Sequence, residues 1–167
     1  RDARPLAAAA QTLLQGTLEA LSESRASEGA RIGELLLTRA AAIESAADRL
    51  TARLPEVRSR IRAKLLDRLR QVAAEPHQER LEQEIALLAQ KLDVSEGLDR
   101  LTAHIAEFRS NLRSGAPVGR RLDFLVQELN REANTLGSKS ADAETTRLAV
   151  DIKVLIEQIR EQVQNVE

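Results

Sequence analysis

The chain has 167 residues, a formal net charge of −1 and 43% hydrophobic residues, of which only Phe108 and Phe124 are aromatic. This charge excludes a global basic field that would attract nucleic acid, so any contact with nucleic acid must come from local patches. The absence of cysteine excludes a disulfide framework and a thiolate metal site, and it fits a cytoplasmic protein. No apolar run approaches the roughly 18 residues of a membrane span.

The first part of the chain, residues 1–73, is predicted to be a long kinked helical arm. Pro5 suits the first turn of a helix. The apolar positions from Leu36 to Ile61 then alternate spacings of four and three, which is the heptad pattern of a helix packed lengthwise on a partner. Pro55 lies inside this pattern and predicts a kink or a short break. The fold class is therefore all-α, an elongated bundle of long helices with a coiled-coil-like seam.

The segment Arg53–Arg70 contains seven basic and two acidic residues. It is either a solvated face that keeps a long helix soluble or a track for RNA phosphates, which requires only clustered cations. The sequence leaves both interpretations open.

Residues 78–167 complete a single helical domain of 1–167. A helix is predicted over Gln78–Leu92, and Asp93 with Glu96 forms a plausible capping box that opens the next helix. Ser114–Pro117 is predicted to be a loop. A further helix follows from about Val118, and the last one is capped by Ser140 or Asp142.

The helix predicted over Gly119–Lys139 separates into an apolar face and a polar face. Ordinary solvated faces are built from Glu and Lys, whereas this one is built mainly from Arg, Asn, Gln and Ser. Asn and Ser weaken a helix, but amide and guanidinium groups form the directional hydrogen bonds that suit phosphates, base edges and partner backbones. This composition favours a role in function or assembly over solvation alone.

The same stretch, GRRLDFLVQELNREANTLGSK, together with Ile152–Glu167, resembles the C-terminal signature of the YicC/YloC family of bacterial endoribonucleases. The resemblance extends upstream through Arg80–Glu84, Ala86–Ala89, Asp93–Glu96, Asp99–Leu101 and His104. It implies divalent-metal-dependent cleavage of RNA by a ring-like homo-oligomer such as a hexamer. It also implies an N-terminal domain containing strands, which is absent here, so we expect the chain to be the C-terminal part of a longer protein. One departure is Gly97, where the family pattern carries a second acidic residue.

Phosphodiester cleavage uses either a divalent metal held by carboxylates or side chains that act as acid and base while the RNA 2′-OH attacks. His77 lies in a predicted turn and is interpreted as a surface residue. The candidate catalytic residues are His104, Glu128 and Glu132, and the candidate ligands of Mn²⁺ or Mg²⁺ are Glu84, Glu96 and Asp123. Each has a structural alternative as a seam histidine or an ion-paired carboxylate. The candidate RNA-binding residues are Arg80, Arg100, Arg120, Arg121, Gln127, Asn130, Arg131, Asn134 and Lys139.

The sequence therefore predicts the C-terminal helical region of a metal-dependent endoribonuclease, with RNA and further copies of the chain as partners and no membrane association. The alternative is a non-catalytic helical oligomerisation or adaptor domain in RNA turnover. A third interpretation is a helical support for the remainder of a longer protein, with no site of its own.

Overall fold

The computed structural model describes residues 4–72, 82–87, 94–114 and 118–164. Five helices occupy these ranges: α1 (Arg4–Val72), α2 (described over 82–87), α3 (Ser95–Arg113), α4 (Gly119–Ser138) and α5 (Ala143–Val163). No strand occurs within these ranges, which confirms the predicted all-α class. No helix that the structure describes has an apolar stretch long enough to cross a bilayer.

Helix α1 is continuous over 69 residues, which corresponds to a length of about 100 Å at 1.5 Å per residue. Of the kink or short break predicted at Pro55, the short break does not occur, because helical structure continues on both sides of this residue. The kink stays a prediction. Proline removes one backbone hydrogen bond. Leu50 and Val57 are buried on either side of it, so packing against the other helices offsets that loss.

Four helices surround one core in a closed ring, in which α1 contacts α3 and α5 while α4 contacts the same two helices from the opposite side. The diagonal pairs α1–α4 and α3–α5 are not in contact over their described residues. The predicted seam of α1 is confirmed, since most of its positions are buried in this core. The buried seam residues are Leu36, Ala40, Ile43, Ala47, Leu50 and Val57.

The first part of α1, residues 4–31, is exposed along its whole length and is called the arm below. It carries a stripe of apolar side chains that no other described residue covers. These are Leu6, Leu13, Leu14, Leu18 and Leu21, each more than half exposed. The arm and the bundle are thus parts of one helix with opposite environments.

The starts of α3 and α5 differ in how they are capped. Helix α3 has Val94 at its N-cap with no side-chain hydrogen bond, and Asp93, which was predicted to form a capping box with Glu96, lies outside the described residues. Helix α5 begins with Asp142, whose carboxylate accepts from the Thr145 N–H at 2.8 Å, while the Thr145 hydroxyl accepts from the Asp142 N–H. This reciprocal box fixes the turn between α4 and α5.

Candidate functional site

Two ion pairs fix the register between α3 and α4. Arg100 donates from Nε to Glu132 Oε1 at 2.8 Å and from Nη2 to Glu132 Oε2 at 3.1 Å. Further along α3, Glu107 accepts from Arg121 Nε at 2.9 Å. Because residue numbers rise along α3 while they fall along α4, the two helices are antiparallel, and these pairs lie along one flank of their contact.

This register places two of the candidate catalytic residues opposite each other. His104 lies one turn after Arg100 on α3, and Glu128 lies one turn before Glu132 on α4. Both side chains are half-buried. Neither has a hydrogen-bond or ion-pair partner among the residues that the structure describes. An imidazole and a carboxylate without structural partners, on one flank of a helix pair, are available for proton transfer.

The third candidate catalytic residue, Glu132, has a different environment. It is 5% exposed, and both its carboxylate oxygens accept hydrogen bonds from Arg100. Hydrogen bonding to Glu132 is the main cause that raises the pKa of Arg100 above its ordinary value, and Glu96, 2.5 Å from Arg100 Nη1, adds to it. The guanidinium therefore stays charged, and Glu132, Arg100 and Glu96 form a structural network.

Gly97 of α3 lies against the buried carboxylate of Glu132. A Cβ atom at this position would lie 3.4 Å from Glu132 Oε2 and 3.6 Å from Leu136 Cδ2. The residue that departs from the family pattern thus lies in van der Waals range of the Glu132 carboxylate. A second acidic side chain here would face the carboxylate that Arg100 already binds.

The amides predicted to bind RNA are joined to one another and to α5. Asn134 donates to Asn130 Oδ1 at 3.1 Å, and Asn130 donates to Glu157 of α5 at 2.6 Å. Gln127 donates to Asp123 at 2.8 Å, one turn away on the same helix. Asn130 therefore connects two helices, whereas Gln127 and Asn134 lie exposed on the outward side of α4.

The arginines predicted to bind RNA fall into two groups. Arg100 and Arg121 are held by carboxylates of neighbouring helices. The outward face of α4 is the exposed side that carries Arg120, Asp123, Phe124, Gln127, Arg131 and Asn134. The guanidinium groups of Arg120 and Arg131 have no partner in the described part of the chain. Lys139 is half-buried at the C-terminal end of α4. Arg80 and His77 lie outside the described residues.

The candidate metal ligands lie on three different helices, with Glu84 on α2, Glu96 on α3 and Asp123 on α4. Within the described ranges, no three His, Cys, Asp or Glu side chains converge as they would around a metal ion. Glu96 is bound by Arg100, and Asp123 accepts from Gln127. Their role as metal ligands therefore stays a prediction.

The basic segment of α1 is partly used to join α1 to α5. Arg53 lies 2.8 Å from Glu144 and 3.4 Å from Asp142. The Thr145 N–H and then Arg53 lower the pKa of Asp142 below its ordinary value, which outweighs the effect of burial. Arg60 pairs with Glu56 on its own helix. Several of the cations in the segment thus have structural partners, and a continuous phosphate track is not formed by all seven.

Sequence reasoning missed one residue of the outward face, Phe124. Its side chain is 47% exposed, and Arg121 Cζ lies 5.2 Å from the centre of its ring. A signal was present in the sequence, because Phe124 lies four residues after Arg120 and falls outside the apolar stripe of α4. An aromatic residue that falls outside the buried face of its own helix is a candidate for contact with a ligand.

Residues 50–167 match the family described as endoribonuclease YicC-like, C-terminal. A protein of Haemophilus influenzae named probable endoribonuclease YicC is 46% identical over 143 residues, which cover 86% of this chain and 50% of that protein. A protein of Clostridioides difficile with the same name is 34% identical over 157 residues, which cover 92% of this chain and 54% of that protein. The chain spans about half the length of these relatives. The resemblance identified in the sequence is confirmed, and the chain belongs to the YicC-like endoribonuclease family, through the C-terminal region of that family.

Proposed function

We propose that the chain is the helical RNA-binding and oligomerisation region of a metal-dependent endoribonuclease of the cytoplasm. The observation that supports the proposal is the register of α3 and α4, from which His104 and Glu128 are inferred to face each other across the helix pair. Helix α4 also carries the exposed Arg120 and Arg131. The relatives are named probable endoribonucleases, which supports RNA cleavage as the reaction in which these side chains take part. Net charge does not draw RNA to the chain, so binding depends on this local arrangement.

His104 and Glu128 are proposed as the catalytic residues. An imidazole can donate or accept a proton, and a carboxylate on the facing helix can orient it or accept a proton. The nucleophile is either the RNA 2′-OH or a water molecule. Glu132 is proposed to act through Arg100, because its carboxylate is buried and already bound.

The requirement for Mn²⁺ or Mg²⁺ is part of the proposal, although the described residues do not build a complete site. Mg²⁺ is commonly bound by one or two carboxylates together with water molecules and substrate phosphates. Asp123, exposed between Arg120 and Arg131 on α4, is the carboxylate best placed to contribute.

The test is an RNA cleavage assay on the full-length protein and on this chain, with Mg²⁺, Mn²⁺ or excess EDTA. We expect cleavage that stops on chelation and that falls by about a hundredfold in His104→Ala, the range in which a general acid or base contributes. The matched control is Thr102→Ala on the exposed side of α3. Full activity in EDTA overturns the metal requirement, and full activity of His104→Ala overturns the catalytic assignment. A 2′-deoxy substitution at the cut site stops cleavage only if the 2′-OH is the nucleophile.

The exposed arm, residues 4–31, supports a second function, which is oligomerisation. Its exposed leucine stripe is the kind of apolar surface that a second copy of the chain would cover. We propose that oligomerisation, in a ring such as a hexamer, uses this surface, either with catalysis or as a non-catalytic adaptor domain. Replacing Leu14 and Leu18 by Glu is expected to lower the oligomer mass in light scattering, with Leu87→Glu on α2 as the control. An unchanged mass overturns the role of the arm.

A further inference from the structure

Phe124 is the one large apolar side chain of α4 that is exposed among the described residues. It is 47% exposed, whereas the other aromatic residue of the chain, Phe108, is completely buried. Phe124 follows Arg120 by four residues and precedes Arg131 by seven, so the three share the outward face of the helix. An aromatic ring on a polar face between arginines is the arrangement with which proteins stack unpaired bases.

The ring is held in place from one side. Arg121 Cζ lies 5.2 Å from the ring centre, a geometry in which the cation is attracted to the aromatic face. Arg121 is fixed in turn by its ion pair with Glu107 on α3. The guanidinium therefore covers one face of the ring and restricts its movement, while about half of Phe124 stays open to solvent.

The charges around Phe124 show why a base contact matters here. Arg120 and Arg131 are about 16 Å apart along the helix axis, at 1.5 Å per residue, and both guanidinium groups are exposed. Asp123 and Glu128 lie on the same helix and offset them. Attraction of phosphates alone is thus weak at this face, and specific binding requires an interaction that does not depend on net charge.

We propose that Phe124 is a stacking platform for one unpaired RNA base, which lies on the open face of the ring, with Arg120 and Arg131 next to the adjoining phosphates. This inference rests on the proposed function and identifies its substrate class as RNA with an unpaired nucleotide, either a single strand or a loop. Phe124 is one turn from Glu128, so the stacked nucleotide lies beside the His104–Glu128 pair. A base inside a duplex is already stacked on its neighbours and cannot occupy this position.

The test compares Phe124→Leu and Phe124→Trp with the unchanged chain. Leucine keeps an apolar side chain without a ring, and tryptophan keeps a ring, so the pair separates stacking from hydrophobic contact. The control is Val154→Ala, an exposed apolar side chain on α5. The probes are a fluorescein-labelled single-stranded oligouridylate and a blunt-ended RNA duplex of the same length. Binding is measured by fluorescence anisotropy at low and high salt, and oligomer mass by light scattering.

We expect Phe124→Leu to weaken binding of the single strand by about tenfold, which lies within the range measured for base–aromatic stacking. Binding of the duplex, the salt dependence and the oligomer mass stay unchanged, and Phe124→Trp restores the affinity. If the unchanged chain binds the single strand and Phe124→Leu binds it equally well, the stacking role is overturned while the proposed function stands. If Phe124→Leu alters the oligomer mass, Phe124 is an interface residue and the proposal is wrong. If the unchanged chain binds neither RNA, the proposed function fails, and the stacking role fails with it.

Discussion

The seams between helices and the outward face of α4 use the same kinds of side chain for different purposes. At the seams, Arg100 binds Glu132 between α3 and α4, and Arg53 binds Asp142 between α1 and α5. On the outward face, Arg120 and Arg131 have no such partner in the described ranges. The difference lies in what each residue faces, because a guanidinium that meets a carboxylate of another helix stabilises the fold, whereas one that meets solvent is available to a ligand.

The largest expected effect comes from breaking the seam between α3 and α4. Arg100→Ala leaves the buried Glu132 carboxylate without its partner, and an uncompensated buried charge is strongly destabilising. We expect the largest fall in melting temperature of all the variants considered, measured by circular dichroism. Arg120→Ala on the outward face is the matched control and should melt at the temperature of the unchanged chain. Equal melting of both variants would show that the Arg100–Glu132 pair does not stabilise the fold.

The next effect is expected at the seam between α1 and α5. Asp142→Ala removes the N-cap of α5 and should lower the free energy of unfolding by about 1–2 kcal/mol at neutral pH, as measured by urea denaturation. The folded-state pKa of Asp142 is lowered, so its contribution is present above the unfolded pKa of about 3.9 and is lost as the pH falls through the folded value.

The pH dependence of stability distinguishes the contribution of the capping hydrogen bond at Asp142 from that of its charge. Asp142→Asn keeps a capping oxygen but has no charge to lose, so its stability at neutral pH should lie between those of the unchanged chain and Asp142→Ala. The decrease in stability at acid pH should be smaller in Asp142→Asn than in the unchanged chain. If stability falls equally at acid pH in Asp142→Asn and in the unchanged chain, titration of Asp142 is not the source of that fall.

A smaller effect is expected for the amide that connects α4 to α5. Asn130→Ala removes the hydrogen bond to Glu157 and should cost about 1 kcal/mol in urea denaturation. Asn134→Ala removes only a bond within α4 and should cost less. A larger loss of unfolding free energy in Asn134→Ala than in Asn130→Ala would show that the outward face of α4 stabilises the fold more than the bond between α4 and α5 does.

The smallest change in stability is expected at Gly97, and it has the opposite sign. A Cβ atom here makes ordinary contacts with Glu132 and Leu136, and alanine reduces the entropy of the unfolded chain. Gly97→Ala should therefore raise the unfolding free energy by about 0.5 kcal/mol. Gly137→Ala, where no atom lies within 4 Å of the added Cβ, provides the comparison. A loss of stability confined to Gly97→Ala would show that the approach of α3 to Glu132 tolerates no side chain.

Substitutions on the outward face of α4 should change RNA binding and leave the stability of the fold unchanged. Arg131→Ala is expected to leave the melting temperature unchanged and to reduce the slope of log affinity for RNA against log salt by about 1, because one phosphate contact is lost. Arg49→Ala on α1 is the control for an exposed arginine away from α4. An unchanged slope with Arg131→Ala would exclude a phosphate contact at this position.

The local pattern of the sequence was sufficient for much of the fold. The sequence predicted an apolar face for α4, and the residues on that face are buried as expected. These are Leu122, Leu125, Val126, Leu129, Ala133 and Leu136. The cap of α5 was predicted at Ser140 or Asp142 and lies at Asp142. This much was predictable because a cap involves only neighbouring residues. The short break that the sequence allowed at Pro55 does not occur, because burial of the flanking turns outweighs a local breaking signal. The kink stays a prediction.

The candidate site could be predicted only in part. The polar composition of α4 pointed to its outward face, but the sequence could not show that Arg100 is bound by Glu132 while Arg131 is exposed. Asn130 and Gln127 look alike in sequence, yet one connects two helices and the other bonds within its own. The metal ligands, the catalytic roles and the oligomer stay predictions.

The sequence by itself determined which residues form helices and which face of each helix is apolar, because both depend on periodicity and on interactions between residues a few positions apart. Only the tertiary structure decided the pairing of charged groups, the burial of Glu132 and the placement of His104 opposite Glu128. These depend on the register and distance between helices that are far apart in the chain. Whether a polar residue stabilises the fold or is left for a ligand is therefore set by its neighbours on other helices.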